Sequence, residues 1–165
     1  MLDQGLDIGQ RDVTGRTALH LAAERGNVEL VALLLDRGAE GFETTSEGAT
    51  PLDLAAAEGH VEVVVRLLDS EDGSFPKSVA GWTPLHGAAQ GGHPALVEVL
   101  LAQGALVTET ADRGVTPLYL AAASDCADCV AQLLAAGADA EQSADGGWTP
   151  LHAASYAGAA GAARV

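Results

Sequence analysis

The sequence predicts an all-α solenoid, and three observations predict it. A short motif recurs every 33 residues, glycines hold fixed positions around it, and apolar residues inside each period repeat at helical spacing. The motif reads Thr17-Ala18-Leu19-His20, Thr50-Pro51-Leu52-Asp53, Thr83-Pro84-Leu85-His86, Thr116-Pro117-Leu118-Tyr119 and Thr149-Pro150-Leu151-His152. Gly15, Gly48, Gly81, Gly114 and Gly147 each stand two residues before its threonine, and Gly26, Gly59, Gly92 and Gly158 nine after it. Gly38-Ala39, Gly104-Ala105 and Gly137-Ala138 add a third mark.

Each mark has a mechanical reason. Thr before Pro is a helix start, because the hydroxyl can cap free N–H groups and Pro suits the first helical position. A short helix follows, as over 50–58, and its alanine pairs, such as Ala55-Ala56 and Ala88-Ala89, allow close approach of a neighbour. The next glycine accepts φ > 0 and stops that helix. A second helix follows, as in Val61-Glu62-Val63-Val64-Val65-Arg66-Leu67-Leu68, and Gly-Ala ends it. The remaining residues, with glycine at the tip, suit a tight β-turn or hairpin.

A turn plus two antiparallel helices at this period, opening on T-P-L-H-x-A, resembles the ankyrin-repeat family over essentially the whole chain. The reading is one domain over residues 1–165. Residues 1–11 are the tail of a preceding repeat, 12–44, 45–77, 78–110 and 111–143 are full repeats, and 144–165 is a partial or capping repeat. Gly5 falls in register with Gly38, so Leu2 to Ile8 match a repeat tail. The segment Ala159-Ala160-Gly161-Ala162-Ala163-Arg164-Val165 has lost the Leu/Val pattern. Because both ends break inside a unit, the chain reads as a cut from a longer array, with an atypical cap as the alternative.

Composition narrows the function. The 165 residues carry 23 acids against 8 bases, a formal charge of −15, which repels phosphate backbones and anionic lipid. Neither nucleic acid nor membrane is therefore an expected partner. No apolar run approaches a membrane span and the N-terminus has no signal-peptide pattern, so an intracellular, cytoplasmic or nuclear home is the default expectation. Only six residues are aromatic, so the core must be aliphatic.

Two departures from the repeat stand out. Ser70-Glu71-Asp72-Gly73 replaces Gly-Ala in the second unit, predicting an irregular acidic loop, and Asp125 sits where glycine is usual, predicting left-handed backbone.

Few residues invite chemistry. Cys126-Ala127-Asp128-Cys129 has the C-x-x-C spacing of redox dithiols or of half a zinc site. The register favours a structural role, because Cys129 falls in the apolar slot of Leu30, Val63 and Leu96, and Cys126 in the slot of Asn27, His60 and His93. Two cysteines do not make a disulfide scaffold. Among the histidines, His20, His86 and His152 share one slot, and His60 and His93 another. Neighbouring slots lie on the order of 10 Å apart, so they cannot converge on one metal. The resemblance implies instead that the motif histidine hydrogen-bonds within and between repeats. No nucleophile elbow, P-loop or zincin motif is present. The expectation is a non-enzymatic chain without cofactor or metal.

The resemblance also implies a binding surface on the concave side, built from turn tips and first helices. By register the slot before each motif threonine holds Arg16, Ala49, Trp82, Val115 and Trp148, and outer ends of first helices hold Arg25, Gln90 and Tyr156, among others. Tryptophan is enriched at interface hot spots. The candidate partner-binding residues are Arg16, Arg25, Trp82, Gln90, Arg113, Val115, Trp148 and Tyr156, with Trp82, Val115 and Trp148 in one row. The competing reading is that each Trp stiffens its turns. Phe42 and Phe75, also 33 apart, are expected to stack between turns.

The expected function is a non-catalytic protein–protein interaction scaffold. The alternative is a substrate-recruitment or regulatory segment of a larger enzyme, such as a ubiquitin ligase subunit or a kinase. A monomer is expected, with end-to-end association where cut ends expose Leu and Ala faces.

Overall fold

The structure is a computed structural model that describes residues 7–70, 78 and 80–165. Helices form where the repeat placed them. The helices are α1 (Ala18–Glu24), α2 (Val28–Asp36), α3 (Pro51–Ala57), α4 (Val61–Ser70), α5 (Pro84–Gly91), α6 (Pro94–Ala102), α7 (Pro117–Ala123), α8 (Ala127–Ala135) and α9 (Pro150–Ala157). The first helices pack in sequence, α1 on α3, α3 on α5, α5 on α7 and α7 on α9. The second helices do the same, α2 on α4, α4 on α6 and α6 on α8. Each unit therefore rests on its neighbours, as a solenoid requires.

The core repeats with the same period. Leu19, Leu52, Leu85 and Leu118 are buried, and so are Val31, Val64, Val97 and Val130 and the series Leu34, Leu67, Leu100 and Leu133. Fully burying one such side chain is worth about 2 kcal/mol before entropy, so these rows supply most of the cohesion. Leu151 breaks the first series, being 58% exposed.

Turns follow the expected chemistry, and starts do so in part: the Thr17 and Thr83 hydroxyls cap no N–H and instead meet Nδ1 of His20 and His86 at 2.9 and 2.8 Å. The hydroxyls of Thr50 and Thr116 accept the N–H of the third helical residue, each at 3.1 Å. Each turn is closed by a bond from N–H to the carbonyl four residues on, at Asp12–Arg16, Thr45–Ala49, Ser78–Trp82, Ala111–Val115 and Ala144–Trp148. Among the described residues these turns build no named strand. The one bridge of this kind, Ala144 with Trp148, is isolated. Adjacent turns are tied by Ser46 N–H to Thr14 O at 3.0 Å and Asp112 N–H to Ala80 O at 2.8 Å.

Glycine is required where the second-slot histidines cross. At Gly26 φ is +68°, and an added Cβ would lie 2.6 Å from the His60 ring; at Gly59 φ is +75°, with the same overlap against His93. Asp125 adopts φ 57°, as its register predicted, and Arg113 shares that geometry at 61°. Asp125 also uses its carboxylate, which accepts the Ala162 N–H at 2.9 Å. That contact lies beside a short 3-10 turn, Ala162–Arg164. The acidic loop at Ser70-Glu71-Asp72-Gly73 lies beyond the described residues from Glu71 onward. Phe75 and residues 1–6 lie outside them as well.

Candidate protein-binding surface

The motif histidine is a bridge between units. Thr17 N–H donates to His20 Nδ1 at 3.1 Å, which leaves the proton on Nε2, and Nε2 faces the Ala49 carbonyl at 3.3 Å. His86 repeats this, with Thr83 N–H on Nδ1 at 3.2 Å and Nε2 at 3.1 Å from the Val115 carbonyl. Burial holds His20 below the usual imidazole range, against the opposing pull of the Ala49 carbonyl. It therefore works as a neutral donor. A second bridge runs backwards, from His60 Nε2 to Glu24 O at 3.0 Å and from His93 Nε2 to Ala57 O at 2.8 Å. Four of the five histidines are thus spent on joining units.

Asp53 fills the motif-histidine slot of the second unit. Its Oδ2 accepts the Thr50 N–H at 2.9 Å and the Thr50 hydroxyl at 2.8 Å. Its Oδ1 is buried without a partner. Burial raises its pKa above the usual carboxylate value, and the two Thr50 bonds oppose that rise.

On this frame the candidate contact residues are not equivalent. Trp148 is 38% exposed and Tyr156 84% exposed. Their rings meet edge to face with centroids 5.5 Å apart, a favourable aromatic geometry. Trp82 is half-buried, and its ring lies 5.4 Å from that of its own motif residue His86. Val115 is half-buried, and its carbonyl receives His86. Trp82, His86 and Val115 therefore form one linked group across the third and fourth units. Arg16 is held by Glu24 at 2.9 Å within its own unit, so its charge is partly neutralised. Arg25, Gln90 and Arg113 are exposed. A groove of about 480 Å³ beside the first unit includes Arg16, Leu21 and Arg37 and none of the aromatic candidates.

The cysteines depart from the sequence reading in one respect. Cys129 is buried in the core as the register required, yet it is bonded to Cys126 through a disulfide. A three-residue spacing on the first turn of a helix brings the two side chains onto one face, whatever their register.

No helix among the described residues is long and apolar enough to cross a membrane. A family model described as ankyrin repeats (3 copies) matches residues 1–78 and 85–165. An ankyrin repeat protein of fowlpox virus is 50% identical over 40 residues, 24% of this chain and 6% of that protein. Serine/threonine-protein kinase 12 of Arabidopsis thaliana is 52% identical over 40 residues, 24% of this chain and 9% of that protein. The match thus spans less than a tenth of either relative. Ankyrin repeats are in general protein–protein interaction modules and typically non-catalytic. With the family model covering nearly the whole chain, and with helix pairs, core rows and histidine bridges all recurring at its period, the chain belongs to the ankyrin-repeat family.

Proposed function

We propose that the chain is a non-catalytic scaffold that binds a partner protein through a strip of turn tips and first helices. The strip comprises Arg16, Arg25, Trp82, Gln90, Arg113, Val115, Trp148 and Tyr156, on the concave face the family uses. The observation that carries the reading is the Trp148–Tyr156 pair. Two large rings stand together at the surface of a chain with only six aromatic residues. Exposed aromatic area is costly in water and is the commonest anchor at interfaces. Three of the chain's eight basic residues, Arg16, Arg25 and Arg113, lie on the same strip. Trp82 has a double role, since its stack on His86 also stiffens its turn.

The test is affinity capture from a lysate with wild type and with Trp148→Ala/Tyr156→Ala and Trp82→Ala/Trp148→Ala variants, after circular dichroism shows equal helicity. Capture lost from both variants supports the strip. Equal capture by all three proteins removes it.

A second reading is a recruitment or regulatory segment of a larger enzyme. The 52% identity over 40 residues with a protein kinase favours keeping it. Sequencing the full-length transcript separates the two, because a catalytic domain in the same reading frame would establish the second.

A further inference from the structure

We propose that Cys126 and Cys129 are a reversible dithiol–disulfide couple that exchanges with a low-molecular-weight thiol at Cys126. Three features of the fold point to it, and none depends on the binding strip.

First, the two cysteines are placed asymmetrically on α8. Cys126 is the N-cap residue and is partly exposed, whereas Cys129 is in the first turn and fully buried. An incoming thiolate therefore reaches the Cys126 sulfur and not that of Cys129.

Second, the helix start is built to hold Cys126 in both states. The Cys129 N–H donates to Cys126 Sγ at 3.2 Å, as the Leu30 N–H donates to Asn27 Oδ1 at 3.0 Å in the first unit. A thiolate at that position keeps the N–H and gains the positive end of a nine-residue helix. The carboxylates of Asp125 and Asp128 oppose this, and Asp125 is engaged by the Ala162 N–H. Opening the disulfide need not uncap the helix.

Third, Cys126 is relieved of the backward reach that histidine makes from its slot. His60 and His93, in the same position, reach back to Glu24 O and Ala57 O. In the fourth unit a backward bond comes instead from Ser124 Oγ, which donates to Ala89 O at 2.9 Å, one residue before the register equivalent of those carbonyls, and which also lies 3.2 Å from Ala121 O in its own helix. The junction is thus held by a group that does not change with oxidation.

A thiolate RS⁻ attacks Cys126 Sγ, the Cys126–Cys129 bond breaks, and Cys129 leaves as a thiolate that takes a proton. A second RS⁻ attacks the R sulfur of the mixed disulfide, releasing RSSR and the Cys126 thiolate. Two RSH are oxidised to RSSR as one protein disulfide is reduced to two thiols, and RSSR drives the reverse.

The test uses the chain in glutathione buffers of graded redox ratio, quenched with an alkylating mass tag, with circular dichroism in parallel. The expected result is a two-thiol transition within the range of the buffer and no change in helicity. Cys129→Ser should take up one glutathione from oxidised glutathione at least about tenfold faster than folded Cys126→Ser. Should the bond survive excess reduced glutathione until urea unfolds the chain, it is a fixed staple and the proposal fails. Thiols that stay reduced in oxidised glutathione, or equal rates for the two variants, also overturn it. The wild-type titration decides the matter even if a variant does not fold.

Discussion

His86 Nε2 lies 3.1 Å from the carbonyl oxygen of Val115, 29 residues further along the chain. His20 makes the equivalent reach to Ala49, so the motif histidine is the polar joint between one helix start and the next turn. His86 is fully buried, whereas His152, in the same slot of the last unit, is exposed.

His86→Ala should therefore cost about 2–4 kcal/mol of unfolding free energy, from the unsatisfied Thr83 N–H, the cavity and the loss of one of the two bonds to the Val115 carbonyl, which keeps the Ala111 N–H. His152→Ala should cost about 1 kcal/mol or less, since water replaces its lost bonds. Urea unfolding of the two variants checks the contrast, and equal losses would mean that the joint carries no special weight.

Asp53 occupies the joint of the second unit with a carboxylate oxygen that has no partner. Asp53→Asn removes the buried charge and should stabilise by about 1 kcal/mol at neutral pH. Asp53→His should do at least as well, because by register its Nε2 faces the Trp82 carbonyl. A raised folded pKa means that Asp53 favours folding most below its ordinary value of 3.8, and that this contribution is lost as pH rises through the folded value. The stabilising effect of Asp53→Asn should accordingly shrink as pH is lowered, which melting midpoints measured across pH would reveal.

His20 has the opposite sign. Its folded pKa is depressed below 6.5, so the unfolded chain takes up the proton first. Its contribution is present above 6.5 and is lost as pH falls below that value toward the folded pKa. Protonation of Nδ1 also removes the acceptor of the Thr17 N–H. Melting temperature should fall on mild acidification, and His20→Gln should flatten that part of the profile while lowering stability at pH 7.

Backbone geometry gives a paired prediction. Gly59→Ala must place a methyl at φ +75° against the His93 ring and should cost more than about 1 kcal/mol. Arg113→Gly relieves a left-handed non-glycine residue at φ 61° and should be neutral or stabilising by up to about 1 kcal/mol. Denaturant midpoints of both variants test the signs.

The helices, their starts and the core rows were legible because each depends on local spacing. Thr-Pro marks a helix start wherever it occurs, and Leu52 or Val64 is buried because every unit presents the same face to its neighbours. Asp125 was legible for the same reason. The lone oxygen of Asp53 was not, since the motif shows the exchange of Asp for His but not which atoms are left without partners. The Trp148–Tyr156 contact was half legible, because register made both candidate contact residues, while edge-to-face packing depends on rotamers that no spacing encodes. The C-x-x-C pair was legible as a spacing, but its bond was not, because the register of Cys129 with Leu30, Val63 and Leu96 equally suits a packed free thiol.

Among the described residues, the bonds that tie one unit to the next span close to one period, as from Thr14 to Ser46, from His20 to Ala49 and from Glu24 to His60. No described tie of this kind skips a unit. A gene encoding such a chain can therefore gain or lose a block of 33 codons by unequal recombination and still give each surviving junction a partner of the right shape. Length is then an inherited variable that mutation adjusts in whole steps, separately from the side chains that choose what is bound.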